Sequence, residues 1–312
     1  MMRAVLGACR ELLSEDGSLF LHVDQRKNAQ MRLLLDEIFG AAHFVNEIIW
    51  AYRSGGRATK HFSRKHDNIL LYRKSAKQYF DIRAAGVPRG PQRKNHMKQS
   101  VDAEGRVCYS IRANGKTYTY HEDSLVFPSD VWDDIEHLHQ RDPERTGYNT
   151  QKPEALLKRI IEVSTKKDDL VIDFFSGSAT SAVTAAKLGR RWIAADASPI
   201  ALYTLRKRML LFGGACPLLD EAREMTLFYP PEKETRMTPP VIYEREGRLF
   251  ASPSPKEALQ YMALGVLQDG LFLPQSFSFL PAADAPLCAP VQKEQVLQAV
   301  DHFGGQSFWR LG

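Results

Sequence analysis

From about residue 150 the sequence settles into a regular alternation that few folds can accommodate. Pro153–Thr165 is predicted to be a helix, with Pro153 tolerated in its first turn. Leu170–Phe175 (LVIDFF) reads as a fully apolar, buried strand. Ser178–Leu188 follows as a helix of small residues, Trp192–Asp196 (WIAAD) as a second strand, and Pro199–Leu211 as a further helix with Gly213-Gly214 beyond it. Links this short between alternating helices and strands imply parallel strands joined by right-handed crossovers. The expected class is therefore α/β, with a doubly wound, mostly parallel sheet.

The N-terminal part carries the same alphabet less regularly. Residues 1–14 read as a helix with Val5, Leu6, Leu12 and Leu13 on one stripe, and Glu15-Asp16-Gly17 stops it. Ser18–Val23 (SLFLHV) is a strand, and Asn28–Phe39 is an amphipathic helix ending at Gly40. Ile48–Tyr52 and Asn68–Tyr72 are apolar runs of strand length. Residues 76–130 lose periodicity apart from a hairpin expected around Cys108–Tyr120, with its turn at Asn114-Gly115. Beyond Cys216 the chain is proline-rich, with a hairpin expected at Val241–Ala251 and a helix at Pro255–Leu264. The domain reading is 1–75, 76–130, 131–214 and 215–312, the last a small α+β appendage of unread role.

What the chain touches is constrained by charge. Between Arg53 and Lys98 thirteen basic residues face only Asp67 and Asp81. The chain as a whole carries +5, so the remainder is net acidic. A positive block on an acidic background is the footprint of a polyanion binder. Tyr52, Phe62, Tyr72, Tyr79 and Phe80 interleave with the charges, which favours nucleic acid over a merely solvated face. Arg53, Arg57, Lys60, Arg64, Lys65, Arg89, Arg93, Lys94 and Lys98 are the candidate nucleic-acid contacts. No apolar run reaches the ~20 residues of a membrane span, and acidic residues come too early for a signal peptide. Cys9, Cys108, Cys216 and Cys288 have no metal or disulfide spacing. The reading is a reduced, cytosolic, soluble protein without a metal site.

The chemistry is concentrated in Thr146–Pro153 (TGYNTQKP), Asp173–Thr180 (DFFSGSAT) and Asp196. A strand ending at Asp173 and a tight turn through Gly177 bring backbone close to a ligand at the carboxyl edge of the sheet. The following helix start offers unpaired amides, and an acid at the end of the next strand can hold ribose hydroxyls. The three-glycine pattern of pyrophosphate binders is absent, which disfavours a dinucleotide. S-adenosyl-L-methionine, with one nucleoside and no pyrophosphate, fits.

These pieces in this order resemble the DNA amino-methyltransferases of the permuted class, in which the cofactor half follows the catalytic half. Gly189-Arg-Arg-Trp-Ile-Ala-Ala-Asp196 extends the likeness. So do Leu13–Asp24 (LSEDGSLFLHVD), Asp36–Gly40 (DEIFG), Phe44–Trp50 (FVNEIIW) and His66–Lys74 (HDNILLYRK). The likeness covers residues 1–212, with 76–130 only generic and read as a target-recognition insert. It implies an S-adenosylmethionine-dependent methyltransferase fold. Thr150, Gln151, Lys152 and Pro153, with Asp173, Phe174, Phe175, Ser176, Gly177, Ser178 and Thr180, would then hold the cofactor. Lys152 would be the counter-charge for its carboxylate, Phe174 or Phe175 would pack beside the adenosine, and Asp196 would take the ribose. The implied reaction methylates the exocyclic amine of adenine, less often cytosine, in duplex DNA, within a restriction–modification or phage modification system.

That family's Asp-Pro-Pro-Tyr-type catalytic motif is absent. Pro230-Pro231 and Pro239-Pro240 have the wrong flanks. In the permuted class the motif ends a strand beside the cofactor strand, so LVIDFF is expected to lack one neighbour. An N-terminally truncated enzyme is the favoured reading. A second polypeptide supplying the strand, a restriction subunit as partner, and a degenerate non-catalytic relative stay open, as does an RNA or small-molecule methyltransferase sharing the cofactor half. His22 and Asp24 would either line a base pocket or cap the helix that follows. No catalytic residue is nameable from the sequence.

Overall fold

The computed structural model describes residues 1–53, 57–90, 97–210, 241–246, 248–253, 259–268, 271–279, 287–290, 295–301 and 306–311. Two compact units emerge, Met1–His139 with Pro153–Leu170 and Leu188–Arg190, and Gln140–Lys152 with Val171–Lys187 and Arg191–Gly312.

The first unit opens with α1 (Met2–Leu12), β1 (Ser18–Val23), α2 (Asn28–Phe39), β2 (Phe44–Ala51) and β3 (His66–Arg73). Residues 76–130, expected to be an insert, add β4 (Val87–Pro88), β5 (Lys98–Val101), β6 (Val107–Ala113), β7 (Lys116–His121) and β8 (Leu125–Val126), and β9 (Val131–Trp132) and α3 (Glu154–Ser164) follow. Its main sheet has the order β1-β3-β2-β9. Both β1 and β2 pair antiparallel with β3, while β2 and β9 pair parallel. Three strands therefore run one way, and only β3, inserted between two of them, runs against the rest.

Strand β3 is the centre because it is apolar on both faces, as a sheet covered twice requires. Leu70 and Tyr72 face Leu6 of α1 and Leu35 and Phe39 of α2. Ile69 faces the other way, against Ile48, Trp50, Trp132, Ile135 and Leu156 of α3. Helices on both faces make this part the three-layer α/β arrangement that the alternation implies. Glu47 adds a polar staple: its Oε1 accepts from the amides of Asn28 and Asn68, each at 2.6 Å.

In the insert, β5-β6-β7 form an antiparallel meander and β4 pairs with β8. Asn114 (φ 49°) and Gly115 (φ 75°) make the two-residue turn expected between β6 and β7.

After its 140–152 segment the second unit carries β10 (Leu170–Asp173, its first residue counted with the first unit), α4 (Thr180–Lys187), β11 (Arg191–Ala194) and α5 (Pro199–Leu210), in which β10 pairs with β11 alone among the described residues. The helix α4 is small-sided and buried from Thr180 to Ala185, packing Ala182 and Val183 against Leu205 and Met209 of α5. The expectation of full burial for LVIDFF is corrected: Leu170 is 43% exposed and Phe175 54%. With one neighbouring strand instead of two, one edge of this run stays accessible.

The rest is β12 (Val241–Arg245), β13 (Arg248–Ser252), β14 (Leu259–Gln268), β15 (Leu271–Phe279), β16 (Leu287–Pro290), β17 (Gln295–Asp301) and β18 (Gln306–Leu311). They form sheets β12-β13-β16 and β15-β14-β17-β18 around Ala251, Met262, Leu264, Leu287 and Leu297. The 241–251 hairpin is present. The helix expected at Pro255–Leu264 is not: residues 259–264 are strand, paired on both sides by β15 and β17. Residues 255–258, Leu211, Gly213, Gly214, Cys216 and the two proline pairs lie outside the described residues.

Candidate functional site

The turn after β10 is shaped by its own backbone and three side chains. Asp173 ends the strand and accepts the Phe175 amide at 3.0 Å and the Ser181 hydroxyl. Gly177 then adopts φ +48° and Ala179 φ +59°. A Cβ on Gly177 would lie 3.1 Å from the Tyr148 ring, so only glycine lets the turn come this close. The Gly177 amide donates to Asp196 at 2.9 Å, and the other Asp196 oxygen accepts the Ser198 amide at 2.8 Å. Arg208 of α5 closes the turn from beneath, donating to the Ser178 carbonyl at 2.7 Å and the Thr180 hydroxyl at 2.9 Å.

The 144–152 segment is locked just as specifically. The Gln151 side-chain oxygen accepts from the Thr146 amide and hydroxyl, and its NH2 donates to the Glu144 carbonyl, each at 2.8 Å. Gln151 is thus fully engaged in holding its own loop. Thr150 sits at φ +64°, costly for a β-branched residue, and the Lys152 ammonium reaches the Thr150 carbonyl at 3.3 Å. The Thr180 hydroxyl donates to the Lys152 carbonyl at 3.2 Å, joining this segment to the turn. Two of the strained non-glycine residues, Thr150 and Ala179, therefore lie in loops that this bond links, and such strain concentrates where ligands are held.

Of the sequence-predicted cofactor residues, Thr150, Gln151, Lys152, Asp173, Phe174, Phe175, Ser176, Gly177, Ser178, Thr180 and Asp196 share one compact unit. Pro153 falls in the other, where it precedes α3 as its cap residue. Ser176, Ser178 and Thr180 are buried, whereas Phe175 and Asp196 are exposed. An exposed carboxylate, an exposed aromatic face, a nearby ammonium and a glycine cradle form a donor and acceptor set that suits a nucleoside joined to an amino acid. Sequence reasoning passed over Tyr148, although it lies inside the quoted TGYNTQKP run, and Arg208, which only the packing of α5 reveals.

A second cluster lies in the first unit. His22 at the end of β1 meets Asp67 at 2.9 Å and packs edge-on against Trp50. Tyr52 lies edge-on to Trp50 and stacks on His137 with centroids 5.6 Å apart. Burial first, then the Asp67 carboxylate, pushes the Tyr52 hydroxyl above its ordinary pKa. Asp24 adds its charge to the upward push on Tyr52, though its hydrogen bonds go elsewhere. It accepts the Arg26 amide at 2.8 Å and pairs with the Arg26 guanidinium in the turn before α2, a helix that no side chain caps.

The candidate DNA contacts divide sharply. Arg57, Lys60, Arg64 and Lys98 are exposed, and Phe62 between them is 99% exposed. Arg53 pairs with Glu136 at 3.8 Å, and Lys65 donates to the Arg53 carbonyl at 3.4 Å. Arg89 stacks on the Tyr120 ring and serves the insert's own packing. Arg93 and Lys94 lie outside the described residues. Among the described residues no His/Cys/Asp/Glu group could hold a metal, and no helix is long and apolar enough to cross a membrane.

Comparison with known proteins identifies relatives in sequence. The Type II methyltransferase M.EcaI of Enterobacter cloacae is 29% identical over 265 residues, covering 70% of this chain and 58% of that one. The DNA adenine methyltransferase YhdJ of Escherichia coli (strain K12) is 30% identical over 191 residues, 61% of this chain and 59% of its own. The chain thus spans less than two thirds of the length of these relatives. Among solved structures, the PvuII DNA methyltransferase (cytosine-N4-specific) superposes with a TM-score of 0.49 at 15% identity, over 67% of this chain and 69% of that one. The DNA methylase family's sequence model matches residues 1–206. Both halves of the quoted motif set fall inside that match, and the chain belongs to the N6/N4 DNA methylase family.

Proposed function

We propose that the chain works as a DNA amino-methyltransferase, with S-adenosyl-L-methionine as donor and adenine N6, ahead of cytosine N4, as acceptor in duplex DNA. The observation that carries this is the Gly177 turn, pressed on Tyr148 and tied by its amide to the exposed Asp196. When bound, the cofactor supplies an electrophilic methyl group. Asp196 keeps free lone pairs for ribose hydroxyls, Phe175 offers its face to the adenine, and Lys152 faces the carboxylate. Gln151 acts at one remove, by fixing the loop that carries Thr150 and Lys152.

A base acted on by such an enzyme leaves the helix stack and needs aromatic faces and hydrogen-bonding edges to receive it. The rings of His22, Tyr52 and His137 provide these at the sheet's end, braced from within by the buried Trp50, whose indole N–H is spent on the Ile135 carbonyl. Tyr52, kept neutral by burial and by Asp67, to which its hydroxyl donates, presents that oxygen as an acceptor to a base amine. Arg57, Lys60, Arg64 and Lys98 would bind phosphate, and Phe62 would enter a groove. A restriction endonuclease is the expected partner.

A second reading, a relative that holds cofactor or DNA without transferring methyl, is favoured by the lack of an Asp-Pro-Pro-Tyr-type motif in the sequence. Calorimetry with S-adenosyl-L-methionine, followed by transfer of labelled methyl to plasmid DNA and nucleoside analysis, separates the two. Cofactor binding is the expected result, with N6-methyladenine recovered once a polypeptide carrying an Asp-Pro-Pro-Tyr-type motif is supplied. Transfer by this chain alone would eliminate the second reading, binding with no transfer even after that addition selects it, and no binding overturns both cofactor assignments.

A further inference from the structure

Strands β2 and β3 close on each other at the pair Ala51–His66, and just beyond it the Tyr52 amide donates to the Lys65 carbonyl at 2.9 Å. The chain from Arg57 to Lys65 therefore returns to Tyr52, whose ring stacks on His137. Phe62 stands three residues before Lys65. Its Cα thus lies within about 11 Å of that anchor, the span of about three base steps in a duplex.

The Phe62 ring is 99% exposed. Folding makes no use of it, because polar bonds shape its loop: the Ala58 amide donates to the Ser63 hydroxyl at 3.1 Å, and His61 Nδ1 meets the Phe62 carbonyl at 2.9 Å. Single exposed apolar residues are common on protein surfaces. This one stands between the exposed cations Lys60 and Arg64, on a loop rooted in a ring-lined pocket. A base that leaves the helix stack leaves a gap walled by the π-faces of its two neighbours. Lysine and arginine can hold the phosphates beside such a gap, but a flat apolar ring is what fills it. Inserted apolar side chains hold DNA steps open in this way, and stacking on the walls offsets part of the cost of unstacking the base.

We infer that Phe62 fills the gap left in the duplex by the target base, and so keeps that base extruded toward the rings of His22, Tyr52 and His137. This rests on the DNA-methylase reading and adds a positioning residue to it. Phe62 acts on the duplex alone and touches neither the cofactor nor the reacting amine.

The test is anisotropy titration of the full chain against two mixed-sequence duplexes, one intact and one with a single abasic site beside a 2-aminopurine. The abasic duplex presents the gap ready-made. The wild type should bind it roughly tenfold more tightly than the intact duplex and quench the 2-aminopurine by stacking on it. Phe62→Ala should lose both effects, while its affinity for the intact duplex falls only about two- to threefold, because there the ring's stacking is largely offset by unstacking. Phe62→Trp should restore both. Leu33→Ala removes a side chain 70% exposed on α2 and should change neither. Both positions are exposed, so folding is unaffected by these changes. A preference for the abasic duplex that is equal in wild type and Phe62→Ala, or missing from the wild type, overturns the wedge and leaves the methylase reading standing. Failure of the wild-type chain to bind either duplex overturns both.

Discussion

Two residues carry tests that separate ligand binding from folding. Gly177 is held at φ +48° with the Tyr148 ring where a Cβ would go. Placing alanine there costs roughly 1–2 kcal/mol of left-handed strain, and the turn relaxes to relieve it. Gly177→Ala should therefore weaken S-adenosyl-L-methionine binding by about fivefold or more in calorimetry. A fall in melting temperature with unchanged cofactor affinity would make the glycine purely architectural. Glu47 serves the opposite purpose. One of its oxygens satisfies Asn28 and Asn68 together, and Asn68 is buried in the central strand. Glu47→Ala should destabilise the protein by about 1–3 kcal/mol, seen in urea unfolding, because both amides lose their acceptor in a place water reaches poorly. Asp196 and Gly177 were legible in the sequence because turn chemistry and spacing are local. Gln151 and Asp24 were legible only as candidates, since nothing local shows that their hydrogen bonds are spent within their own loops.

Among elements, the support of the cofactor turn comes from α5, whose Arg208 binds both Ser178 and Thr180. Arg208→Met keeps the apolar stem packed and removes the donors. It should lower cofactor affinity several-fold while α5, which packs on α4 through Leu205 and Met209, stays folded by circular dichroism. Loss of helix signal instead would show that the arginine holds α5 in place. Elements whose signals are local were read from the sequence almost to the residue. The strand Ser18–Val23, the helix Asn28–Phe39 and the Asn114-Gly115 turn are examples. Strands β2 and β3 run past their apolar cores into Phe44–Glu47 and His66-Asp67, because pairing with each other, not hydropathy, sets their ends. The segment 259–264 failed for the same reason. Leu259-Gln-Tyr-Met-Ala-Leu264 has the composition of a helix, but pairing with partners more than thirty residues away on one side overrides local preference. No period in one sequence encodes a partner that distant.

At the scale of the molecule, the sequence displays a basic block but conceals which of its charges are free. Glu136, far along the chain, takes up Arg53, and Tyr120 takes up Arg89. Of the nine candidate DNA contacts, that leaves Arg57, Lys60, Arg64 and Lys98 exposed and without an ion-pair partner among the described residues. If each neutralises one phosphate, the logarithm of duplex affinity should fall against the logarithm of salt with a slope of roughly −4. A rise from about 50 to about 200 mM salt would then weaken binding of a mixed-sequence duplex by about a hundredfold. Titration by fluorescence anisotropy across that range reads the slope directly. Lys60→Ala combined with Arg64→Ala should make it shallower by about two. Phe62→Ala should weaken binding with the slope intact, since that ring carries no charge. A wild-type slope near zero would contradict nucleic-acid binding by this face. A slope steeper by about one would mean that Arg53 leaves Glu136 for phosphate when DNA arrives.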